Sequence, residues 1–80
     1  MTVLTRAVFN AAKDGNPSAM ALLESAAEVG TKDAEFLLLE LTRENQAETG
    51  ETDFAVAFNR VAAANPILHT AYLNANGTRF

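Results

Sequence analysis

Apolar residues in this chain recur at three- and four-residue intervals and hardly ever at every second position, a pattern that predicts helices and no strand of useful length. Val3, Leu4, Ala7, Val8, Ala11 and Ala12 fall on one side of a first helix, which Thr2 is placed to cap and which should stop near Asp14-Gly15. "GNPSAM" then restarts the chain. Asn16 is suited to accept a hydrogen bond from the amides of the next turn, and Pro17 fits the first helical position, where its missing N–H is not needed. The second helix should turn Met20, Leu23 and Ala27 inward and end at Gly30, a residue at ease in the left-handed region.

Thr31 is expected to cap a third helix, with Asp33 and Glu35 near its positive end. Its middle, "FLLLEL", places apolar groups almost all the way round, as in a helix that is either central or shared with a partner. Glu40, Glu44 and Glu48 follow at four-residue spacing and make one strip of it acidic. "ETGETD" is the longest polar break. A fourth helix starts at Thr52 or Asp53, with Phe54, Phe58 and Val61 as a single stripe. Asn65-Pro66 repeats the device of Asn16-Pro17, and Leu68 with Tyr72 and Ile67 with Ala71 are the four-residue pairs of a short fifth helix. The predicted fold is all-α: one compact bundle of four to five short helices over residues 1–80, with about 75–80 as a flexible or docking tail.

Composition changes what such a bundle can be. A chain of 80 residues buries only roughly 60–65% of the surface its unfolded form exposes, so its stability margin is thin. There is no cysteine to staple it, and a single histidine is a poor basis for a structural metal. No apolar run approaches the ~20 residues that span a bilayer, and "MTVLTRAVFNAAKDG" does not have the form of a secretory signal. The expected setting is therefore a reducing cytoplasm. Ten acids against six bases, net −4, oppose binding to a phosphate backbone.

The residues that could carry chemistry are few. His69 has no neighbouring partner for acid–base work, so neither an enzyme nor a cofactor is expected. Glu40, Glu44 and Glu48 lie along one strip and do not converge as a cation site would require; a solvated face, partly offset by Arg43, is the expectation. "SAAEVGTKDAEFLL" places Ala26, Val29, Gly30 and Phe36 roughly where a helix-turn-helix wants a small residue, an apolar one, a turn glycine and a buried side chain. The helix that would read DNA then opens with more acid than base, which argues against that use. "AAKDGNPSAMALLESAAEVG" resembles a single Sel1-type αα repeat, but a solenoid needs further copies. Asn76-Gly77-Thr78 matches a glycosylation sequon, expected to be fortuitous in a chain that is not secreted.

"FAVAFNRVAAANPILHTAYL" resembles the C-terminal segment of tailed-phage prohead proteases with scaffold extensions and related head-morphogenesis proteins, on Phe54, Ala57, Phe58, Val61, Asn65, Pro66, Leu68 and Tyr72. The resemblance covers about a quarter of the chain and does not include the serine-nucleophile domain of those proteases. It implies a small non-enzymatic bacteriophage protein that docks on a virion or assembly partner, in the host cytoplasm or in the particle. Phe36, Leu37, Leu39, Phe58, Leu68, Tyr72 and Phe80 are the candidate protein-interaction residues, toward a phage structural protein, a host protein or a second copy. The first alternative is a small acidic inhibitor of a host nucleic-acid enzyme or defence system, anti-CRISPR-like, using Glu40, Glu44 and Glu48. The second is a helix-turn-helix regulator, opposed by charge.

Overall fold

A computed structural model describes residues 4–77. Five helices follow one another through them: α1 (Arg6–Lys13), α2 (Pro17–Val29), α3 (Asp33–Thr49), α4 (Phe54–Ala64) and α5 (Pro66–Ala75). No strand occurs among the described residues, so the all-α bundle of short helices is the fold.

The local chemistry that starts and stops these helices is mostly the chemistry expected. Asn16 Oδ1 accepts from the Ala19 amide at 3.0 Å with Pro17 next in line, and Asp53 Oδ1 accepts from Ala55 at 2.9 Å. Three corners differ. The first helix begins at Arg6, capped by Thr5, whose hydroxyl accepts from the Val8 amide; Thr2 and Val3 lie outside the described residues. Leu4 therefore sits in the lead-in, buried, with its amide donating to the Asp33 carboxylate at 3.1 Å. The inward face of α1 shifts accordingly. Phe9, which the expected stripe omitted, is almost fully buried, whereas Ala7 is exposed. At α3 the cap position falls on Lys32, and the Thr31 hydroxyl oxygen accepts a longer bond from the Asp33 amide, 3.3 Å.

Asn65 is the third departure. It is the one residue between α4 and α5, and it cannot serve both ends with one side chain. Its Nδ2 turns back to donate to the Val61 carbonyl at 2.9 Å, leaving α5 without a side-chain cap.

Two helical hairpins, α1–α2 and α3–α4, are joined by the last helix. α5 packs along α2 on one side and against α3 and α4 on the other. Leu68 is only 1% exposed and Ala71 is wholly buried at this junction, beside Leu23, Ala26, Ala34, Leu37, Leu38 and Val61. The α2–α5 contact is closest at its far end. Gly30 has φ 77°, Asn74 Nδ2 donates to the Ala27 carbonyl at 2.5 Å, and the Thr31 amide reaches the Ala71 carbonyl. The resulting shape is a slab, 35 × 29 × 16 Å. Its radius of gyration, 12.4 Å, exceeds the about 11.6 Å expected for this length. A slab so thin cannot cover both sides of every helix, which is why several large apolar side chains remain outside.

Candidate functional site

The all-round apolar character of α3 divides cleanly once the helix is packed. Ala34, Leu37, Leu38 and Thr42 face the core, and the Thr42 hydroxyl, the buried polar group there, is satisfied by the Leu38 carbonyl at 2.6 Å. Phe36, Leu39, Arg43 and Ala47, spaced three, four and four residues apart, run along the opposite ridge and line a shallow depression with Glu40 and Glu44. Phe36 is 67% exposed, an unusual position for a phenylalanine, and Leu39 is half-buried. Of the other candidate interaction residues, Leu37 and Leu68 are buried in the core. Phe58 and Tyr72 are half-buried, and Phe80 lies outside the described residues.

The acidic strip is offset by Arg6, not by Arg43. The Arg6 guanidinium forms a fork with Glu44, at 2.9 and 3.0 Å, and also meets Glu40. These hydrogen bonds hold the Glu44 carboxyl below its usual range and raise Arg6. Glu48 has no ion pair among the described residues. Because the Glu44 pKa is depressed in the folded chain, the stabilisation is complete above the ordinary glutamate range and is lost as pH falls through the folded value. Arg6→Gln should therefore cost about 0.5–1 kcal/mol at pH 7, since the pair is solvent-exposed. Denaturant titrations should show the gap between variant and parent closing at acidic pH; a gap that persists there would mean the clamp acts through packing.

His69 belongs to an aromatic array. Its ring lies 6.3 Å from both Phe58 and Tyr72, Phe58 lies 6.0 Å from Tyr72, and Phe54 stacks on Phe58 at 6.1 Å. The edge-to-face contacts of Phe58 with His69 and Tyr72 join α4 to α5, while the stacked pairs lie within each helix. The stripe thus runs from Val61, buried, through Phe58, half-buried, to Phe54 at the exposed end of α4. Of the helix-turn-helix positions, Ala26 is buried and Gly30 lies in the turn, but Val29 is 65% exposed and Phe36, expected buried, is exposed too.

One feature had no signature along the chain. Beside the end of α1, an apolar groove of about 180 Å³ opens between α2 and the α4–α5 corner, lined by Phe9, Leu23, Leu68, Met20, Pro66 and Ile67. Met20, expected inside, is 42% exposed on its rim, because α2 turns Ala19 and Leu23 to the core instead. A second, polar cavity of about 260 Å³ adjoins it, with Arg6, Glu44, Asn45, Glu48 and Arg60 in its wall. Lys13, Ala64 and Asn65 line both.

No family model, curated protein or solved structure matches the chain. Among the described residues no helix is long and apolar enough to cross a membrane, and no three of His, Asp or Glu gather as a metal site would require.

Proposed function

We propose that this chain is a non-catalytic bacteriophage protein that works by binding another polypeptide, in virion assembly or as a minor component of the particle. The observation that carries the proposal is Phe36, two-thirds exposed on a ridge with Leu39, Arg43 and Ala47. Aromatic and arginine side chains on one exposed strip are the usual anchors of a protein interface. The likeness of residues 54–73 to head-morphogenesis proteins supplies the phage context. The inhibitor alternative is weakened by the ion pairing: Glu40 and Glu44 are engaged by Arg6, leaving Glu48 as the uncommitted carboxylate of the three.

Phe36→Asp tests the proposal without touching the core. Its circular dichroism and melting should match the parent's within about 0.5 kcal/mol, as for exposed positions in general. Capture of a phage structural protein from infected cells, or incorporation into purified particles followed by mass spectrometry, should fall at least about tenfold, the loss expected on truncating one interface anchor. Equal capture by parent and variant would remove α3 as the docking ridge. Recovery of a host nuclease instead would restore the inhibitor alternative.

A further inference from the structure

We infer that the exposed ridge of α3 is self-complementary: in the free protein it is covered by the same ridge of a second copy of this chain, running antiparallel about a two-fold axis. The inference rests on the ridge being a docking surface, as proposed above, and names its occupant.

Spacing along the helix supplies the match. Phe36 and Ala47, the largest and the smallest apolar side chains of the ridge, are both exposed, and Glu40 and Arg43 lie between them on the same side of α3. Both pairs are centred at one height, between Leu41 and Thr42. A two-fold axis at that height sets Phe36 of each copy against Ala47 of the other, and Arg43 of each against Glu40 of the other. A symmetric contact demands this reciprocity, because every residue meets its match twice. Large side chains opposite small ones allow two helices to interdigitate, and half-buried Leu39 adds apolar area at the flank. A parallel pair would instead set Arg43 against Arg43 and Glu40 against Glu40, which like charge opposes.

Charge selects a second copy as the occupant. Arg43 is exposed, and no carboxylate pairs with it among the described residues. Glu40 meets Arg6 through Oε1, while its Oε2 accepts no hydrogen bond among the described residues. Each chain therefore brings one unpaired guanidinium and one open carboxylate oxygen, the number that two intermolecular pairs require. Glu44 is held to the side by the Arg6 fork, and the helical positions of Glu35 and Glu48 fall off the central line. One helix pair buries less than the roughly 800 Å² per partner of a standard interface, so the dimer should be weak, with a Kd on the order of 100 µM.

The test is sedimentation equilibrium of the whole chain from about 10 µM to about 1 mM, where the mass should rise from 8.5 kDa toward twice that value. Arg43→Glu sets glutamate against Glu40 at both contacts, and Glu40→Lys sets lysine against Arg43 at both. Each variant alone should dimerise at least about tenfold more weakly than the parent. An equimolar mixture of the two restores an opposite-charge pair at both contacts, and should return association to the parent's strength. All of these positions are exposed, so circular dichroism and melting should show both variants folded as the parent is. A parent that stays monomeric at about 1 mM would overturn the inference; a loss of capture with Phe36→Asp would then leave the ridge as an interface for a different chain. A dimer that neither charge variant weakens, or two folded variants whose mixture does not regain association, would overturn the antiparallel pairing. Self-association unchanged by Phe36→Asp would place the dimer contact elsewhere and overturn it as well.

Discussion

Gly30→Ala should be the most damaging conservative change in the chain, lowering stability by ~3 kcal/mol or more and the melting midpoint by about 12–24 °C. Two effects add. Gly30 sits at φ 77°, ψ 146°, a region that side chains avoid. A Cβ there would also lie 2.4 Å from the Ala75 amide nitrogen and 2.6 Å from the Asn74 carbonyl carbon. These are backbone atoms of α5, which cannot rotate aside, so the end of α5 must move away from α2. The Asn74–Ala27 and Thr31–Ala71 hydrogen bonds would be lost with it. Gly50→Ala is the control. Its φ is 74°, yet nothing stands within 4 Å of the added carbon, so only the conformational term of about 1 kcal/mol remains. Chemical denaturation of the two variants measures the difference; equal losses would show that the α2–α5 approach is not under tension from sterics.

Leu68→Ala should cost a comparable amount, about 3–4 kcal/mol. Leu68 is 1% exposed where both hairpins meet α5, and removing its side chain empties the junction and enlarges the adjoining groove. Stability for a chain of this size is expected to total roughly 4–12 kcal/mol, so a large part of the folded population is at stake. Its neighbour Ile67 is 39% exposed, and Ile67→Ala should cost under about 1 kcal/mol. Two adjacent aliphatic residues thus separate core from rim, and thermal melts of the pair make the comparison direct. A Leu68→Ala loss below 1 kcal/mol would mean that α5 does not hold the hairpins together.

Much of this architecture is legible locally. Asn16-Pro17, Gly30 and Asp53 mark helix ends through chemistry that operates within four residues, and the structure places helix ends at each. Where two equally suitable devices compete, local chemistry does not choose. Thr2 and Thr5 are alike as caps, and what favours Thr5 is the burial of Leu4 against α3, with its amide on Asp33, 29 positions away. Asn65 carries the same Asn-Pro signature as Asn16 but lacks a loop of its own, so its side chain serves the helix behind it. The division of "FLLLEL" into Leu37 and Leu38 inside and Phe36 outside depends on which neighbours arrive, not on periodicity. The apolar groove is the extreme case: Lys13 and Asn65 belong to different hairpin ends, and no spacing along the chain announces that they share a wall.

The placement of α5 has a consequence for how the molecule comes into being. Four helices are synthesised before the one that packs against both hairpins, and without Leu68 and Ala71 the hairpins meet only through the contacts of Leu4 and Arg6 with α3. Native structure should therefore form only once α5 is free to pack. A released chain ending at Asn65 should remain open to protease digestion, while the ten further residues of α5 convert it to a resistant form.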